Sequence, residues 1–120
     1  MVAPSCAVIA PGPPMAEAEH WIEIATMADV PTGTVLGVET MGLSLAVYHL
    51  ADGTVCVTEN VCTHAYALLS DGWLAGGVIE CPLHAGQFDV RTGQGLGAPI
   101  GTDLRVFRVR RDGDAILIAL

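Results

Sequence analysis

Residues 61–93 read VCTHAYALLSDGWLAGGVIECPLHAGQFDVRTG, and the rest of the chain is best read outward from them. Cys62-Thr63-His64 opens the stretch, and Cys81-Pro82-Leu83-His84 follows after an interval of sixteen residues. The chain holds four cysteines and four histidines, and half of each lies in these two short motifs. Between them, Ser70-Asp71-Gly72 and Ala75-Gly76-Gly77 carry turn chemistry, so the segment can fold back on itself. That would bring the two Cys/His pairs together at the tips of two loops.

Two thiolates and two imidazoles could hold Zn²⁺ tetrahedrally. Structural zinc sites usually pair a C-x2–4-C motif with an H-x3–5-H motif, whereas here each loop supplies one Cys and one His. A two-iron cluster needs two ligands on each iron. The observed division lets two cysteines hold one iron and two histidines the other, the ligand set of a Rieske 2Fe-2S centre. Spacing favours that cluster, with zinc and unliganded residues as the open alternatives.

Outward from the motifs the pattern is strand-like. HWIEIA (20–25) alternates, setting Trp21 and Glu23 opposite to Ile22 and Ile24. TVLGVET and LSLAVYHL are joined at Met41-Gly42, and an Asp52-Gly53 turn leads into VCVTEN. GGVIEC and GQFDVRTG give a later hairpin, and LRVFRVRR, DGD and AILIAL close the chain. AYALLSDGWL allows one helical turn at most. The expected fold class is all-β.

Composition agrees. A chain of 120 residues with 14 Gly, 7 Pro and 15% charged residues suits one domain of short strands and tight turns. Residues 1–14 carry four prolines and no period, and are expected to be a flexible extension, with the domain at 15–120. The net charge is −8, and all five basic residues are arginine. That balance argues against nucleic acid or an anionic membrane as partner. A basic protein partner and simple solubility explain it equally well. No uninterrupted apolar run is long enough to cross a membrane, and the N-terminus lacks the basic start of a signal peptide. A cytoplasmic location is expected.

The stretch 61–93 resembles the cluster-binding core of Rieske ferredoxins. More narrowly, it is similar to the small ferredoxin components of bacterial aromatic-ring hydroxylating dioxygenase systems. The resemblance runs from about Glu19 to Leu120. It implies an antiparallel β-sandwich with a small cluster-binding subdomain, about 60–98. It also implies that Cys62 and Cys81 bind the inner iron of one 2Fe-2S cluster, and His64 and His84 the outer one. A loop containing Pro99 resembles the family's proline loop over the cluster, though Pro99 could equally shape a turn.

Respiratory Rieske proteins have two further cysteines where this chain has Ala67 and Leu83, so no bridge between the loops can form. They place hydroxyls near the cluster sulfurs where this chain has Gly86 and Phe88. Without those donors the reduced state gains less stabilisation, which implies a potential low in the Rieske range of roughly −150 to +300 mV.

The function implied is a one-electron carrier without catalysis of its own. It would accept electrons from an NAD(P)H-dependent flavin reductase, deliver them to a terminal oxygenase, and be a monomer in isolation. The rival readings are a small Rieske-like subunit of a nitrite reductase, the ferredoxin of a di-iron monooxygenase, and a zinc-stabilised binding module.

Other residues are expected to be structural. Cys6 reads as an unliganded thiol and Cys56 as a small core residue. His20 and His49 lack ligand spacing. Gly72, Gly86 and Gly93 serve turns or close backbone approach. Trp73 belongs either beneath the loops or on a docking rim. Asp71 and Glu80 belong to an acidic docking face or are ordinary solvated charges.

Overall fold

The computed structural model describes residues 20–63, 67–83, 85–97 and 102–120. Among them there is no α-helix, only ten strands and two single turns of 3-10 helix, Met27–Asp29 and Leu69–Asp71. The strands are β1 Trp21–Thr26, β2 Val35–Thr40, β3 Leu43–His49, β4 Val55–Glu59 and β5 Trp73–Ala75. There follow β6 Val78–Glu80, β7 Gln87–Asp89, β8 Val106–Phe107, β9 Val109–Asp112 and β10 Ala115–Ala119. Every strand pair is antiparallel.

Three sheets result, in the orders β1-β10-β9, β2-β3-β4-β8 and β5-β6-β7. The middle sheet is buried on both faces, which alternation along its strands makes possible. Leu45 and Val47 of β3, with Val55 and Val57 of β4, pack with Ile116, Ile118, Val109 and Phe107 of the neighbouring strands. The intervening Ala46, Tyr48 and Cys56 join a second core with Ile79, Phe88, Cys62 and Cys81. One sheet therefore supports a hydrophobic core on one side and the small sheet with its loops on the other. This is why LSLAVYH is nearly continuous in apolar residues, as a strand covered on both faces should be.

The two-residue loop Met41-Gly42 closes the β2–β3 hairpin with both residues at positive φ, as a primed turn requires. Two expectations need correction. LRVFRVRR is not one strand: it breaks at Arg108, giving β8 to the middle sheet and β9 to the outer one. Phe107 and Val109 both reach the core between those sheets, so the chain crosses from one layer to the other there. In β1 the simple alternation also fails. The register with β10 slips between Glu23 and Ala25, leaving Ile24 as the extra residue. A bulge of this kind resets the alternation, and Ala25 rather than Ile24 is buried.

The single helical turn allowed to AYALLSDGWL is the 3-10 turn Leu69–Asp71, and the end of that stretch, Trp73-Leu74, runs with Ala75 into strand β5. Its partners Val78–Glu80 lie just across Gly76-Gly77, both at positive φ. The Gly-Gly turn outweighs weak local propensity. Residues 1–14, Cys6 among them, lie outside the described residues.

Candidate metal centre

The first motif follows β4. Asn60 comes directly after that strand, and a short ladder then closes the loop at its base. The backbone N–H of Leu69 donates to the carbonyl of Asn60 at 2.8 Å, and that of Cys62 to Ala67 at 2.9 Å. Val61 and Leu68 form a bridge between these bonds. The second motif follows β6, and the Cys81 N–H donates to the carbonyl of Gly86 at 2.7 Å. Ala85, inside that turn, takes a left-handed φ of 58°, which is uncommon for a residue with a side chain. A third segment leans on both loops. The Thr63 hydroxyl donates to the Thr102 carbonyl at 2.7 Å, and Leu96 N–H donates to Gln87 at 2.8 Å. Pro99 lies outside the described residues, between these two attachment points.

The geometry brings the two cysteines together. Cys62 and Cys81 are both buried in the second core, and their thiols are hydrogen-bonded to each other. The Leu83 backbone N–H also bonds to the Cys81 sulfur. Burial pushes the Cys81 thiol up, the Leu83 N–H draws it down, and the adjacent Cys62 thiol pushes it up again; the net shift is upward. Two thiolates in contact and out of water would be costly without a cation between them. A metal that takes both sulfurs offsets that cost. The donor set thus fits an iron held by two cysteines, with a backbone N–H already aimed at one sulfur. His64 and His84 lie outside the described residues, so the sulfur half of the expected ligand set is the half whose geometry is seen.

Around this pocket the surface is apolar. Val61, Leu68, Leu83 and Leu96 are all exposed, and Val61, Ala67, Leu68 and Asp71 border a notch of about 340 Å³. Trp73 is 61% exposed, which rules out a place beneath the loops. It pairs across β5 and β6 with Glu80, which accepts a hydrogen bond from Gln87 Nε2 at 3.2 Å. Ala67 packs on the second core, while Leu83 points to solvent. Phe88 is fully buried in the core that holds both cysteines and has no hydroxyl to offer.

Residues expected to be structural are so. His49 Nδ1 bonds the Val30 carbonyl at 2.8 Å, and His20 is exposed just before β1; Cys56 is buried in β4 as expected, but as one half of a disulfide and not as a free core thiol. Gly72 has no room for a side chain, because a Cβ there would collide with the Glu80 carbonyl. Sequence reasoning missed Asn60 and Ser70. The Asn60 side chain is buried and grips Ser70 twice. An Asn at a strand end reads as turn chemistry, and nothing local distinguishes one that bonds ten residues ahead.

Comparison with known proteins gives a concordant picture. Residues 20–108 match the family model described as the Rieske 2Fe-2S domain. The chain is 43% identical over 102 residues to the ferredoxin component of the naphthalene 1,2-dioxygenase system of Pseudomonas aeruginosa, covering 85% of this chain and 97% of that one. Among solved structures it resembles the Sphingomonas yanoikuyae B1 ferredoxin, with a TM-score of 0.79, 34% identity, and coverage of 84% and 99%. It also resembles the chain matched in the complex of reduced oxygenase and oxidized ferredoxin in carbazole 1,9a-dioxygenase. There the TM-score is 0.76 and identity 38%, covering 82% of this chain and 92% of that one.

Proposed function

The chain belongs to the Rieske 2Fe-2S domain family, and from that premise we propose the residues and partners through which it works. It is an electron-transfer component, not a catalyst, and carries one Rieske-type cluster. Cys62 and Cys81 hold one iron, and His64 and His84 the other. Bound there, the cluster accepts and returns one electron at a time. A four-residue ligand set leaves no open position for a substrate, so the protein's own work is to hold the cluster, tune it and present it.

The observation that carries this assignment is the contact between the Cys62 and Cys81 thiols in a buried pocket. Each loop then offers its histidine two or three residues further along. The role of carrier to a terminal aromatic-ring hydroxylating oxygenase is supported by the relatives named in such systems and by the carbazole dioxygenase complex. The electron donor is an NAD(P)H-dependent flavin reductase. The apolar collar of Val61, Leu68, Leu83 and Leu96 is the docking surface, its exposed leucines and valine excluding water around the electron port. With a net charge of −8, the chain is steered to basic partner surfaces, so transfer slows as salt rises.

The test is direct. Protein purified under anaerobic conditions should be red-brown, contain two irons and two acid-labile sulfides per chain, and show a Rieske electron paramagnetic resonance signal on reduction. It should then relay electrons from such a reductase to an aromatic-ring oxygenase. Colourless protein with stoichiometric zinc would establish the zinc module instead.

A further inference from the structure

We propose that Asn60 is a positioning residue that clamps the first cluster loop to the middle sheet and so fixes the sulfur of Cys62. The inference rests on the ligand assignment above and adds a residue to it.

Asn60 stands two positions before Cys62 and is 1% exposed. All the backbone and side-chain bonds it makes face the loop or the sheet. Its own N–H donates to Ser44 of the β3 strand at 2.9 Å, and its carbonyl accepts from Leu69 at 2.8 Å. Its Oδ1 accepts from the Ser70 backbone N–H at 2.8 Å, while its Nδ2 donates to the Ser70 hydroxyl at 3.0 Å. One amide side chain thus reads both the backbone and the side chain of Ser70. This requires an acceptor and a donor on the same group, which Asn has and Asp at neutral pH lacks.

The sheet is shaped to receive this clamp. Gly37 of β2 faces Ser70, and a Cβ on Gly37 would stand 2.7 Å from the Ser70 hydroxyl and 3.1 Å from Asn60 Nδ2. Gly37 does not have a positive φ, so its missing side chain serves this approach and not a backbone conformation. The loop beyond the clamp returns through the Val61–Leu68 bridge and the Cys62–Ala67 bond. A shift of Ser70 therefore passes along two short rungs to Cys62. Leu69, held between Asn60 and Ser70, is fully buried in the same core as both cysteines.

Three variants of the loaded protein test the clamp from separate sides. Ser70→Ala removes only the hydroxyl partner. Gly37→Ala presses on Ser70 from the sheet without touching the loop sequence. Asn60→Asp keeps the shape and the Oδ1 acceptor but loses the donor. Each is followed by iron release to a chelator well below its unfolding midpoint, by the g-value spread of the reduced cluster, and by thermal unfolding. Release about fivefold faster is expected for Ser70→Ala and for Gly37→Ala, the factor belonging to one buried hydrogen bond. Release should be faster still for Asn60→Asp, with altered g values in all three.

Parental release rates and g values in the loaded variants, whatever their midpoints, would overturn the proposal and leave Asn60 a purely structural residue. If Gly37→Ala does not fold, Ser70→Ala decides alone, since it deletes one atom from a half-buried residue. A parent protein that purifies without iron overturns the ligand assignment and this proposal together. A loaded parent with indifferent variants overturns only the proposal.

Discussion

The Cys81 thiol is hydrogen-bonded to the Cys62 thiol, although the two residues leave different strands and belong to different loops. Cys62 follows β4 of the middle sheet and Cys81 follows β6 of the small one. Their meeting joins those two sheets at the place where iron would bind. Cys62→Ser and Cys81→Ser should each abolish iron and sulfide incorporation. The core between the β1-β10-β9 sheet and the middle sheet does not include either cysteine, so far-ultraviolet circular dichroism should still report a β protein. Iron analysis and dichroism on the same sample check both halves of this outcome.

His64→Cys tests the nitrogen half of the ligand set. A thiolate in place of a neutral imidazole adds negative charge to the centre, so the reduction potential should fall well below the parent's, or the cluster should be lost. Voltammetry with a visible spectrum settles it: an unchanged spectrum and potential would show that His64 is not a ligand.

Phe88 is buried in the core that holds Cys62 and Cys81, at a position where a tyrosine would carry a hydroxyl toward that core. Phe88→Tyr should raise the reduction potential by an amount on the order of 50–100 mV. That is the one-electron equivalent of about 1–2 kcal/mol for one hydrogen bond to a charged sulfur. A loaded variant whose potential matches the parent's would show that the position does not govern the cluster.

Gly93 has a φ of 81°, and a Cβ there would collide with the Leu104 carbonyl. Its N–H bonds Asp89 at 2.7 Å, and its carbonyl accepts from Leu104 at the same distance. Gly93→Ala therefore faces both strain and a backbone clash, and should cost about 2–4 kcal/mol of stability. A denaturant midpoint equal to the parent's would contradict this.

Tyr48 is fully buried, and its hydroxyl is bonded to Thr58 Oγ1 at 2.8 Å. Burial is the main cause that pushes its ionisation well above the usual value near 10, and nearby Glu59 adds to it. A folded-state value raised above the unfolded one means that stability is fully present below about pH 10 and is lost as pH climbs beyond it. Tyr48→Phe should cost about 1 kcal/mol at neutral pH. It should also flatten the loss of stability above pH 10, as denaturant melts at pH 8 and pH 11 would show.

Much of the site was legible because its chemistry is local. Cys62 and Cys81 announce themselves by residue type and spacing, and the turns at Ser70-Asp71-Gly72 and Gly76-Gly77 foretell that the chain doubles back. Asn60, Ser70 and Gly37 were not legible. Asn60 and Ser70 bond across ten positions, and Gly37 comes from a different strand altogether. No pattern along the chain encodes a missing Cβ that matters only because a serine sits over it.

The sequence by itself determined the all-β character, the hairpin turns and the pair of motifs, because alternation, positive-φ glycines and ligand type act over a few residues. Tertiary structure alone decided that LRVFRVRR splits between two sheets, that a bulge at Ile24 hands the core position to Ala25, and that Trp73 faces water. It also brought one thiol against the other. Each of these depends on which distant strand supplies the partner surface, and burial, unlike periodicity, is a property of the assembled layers.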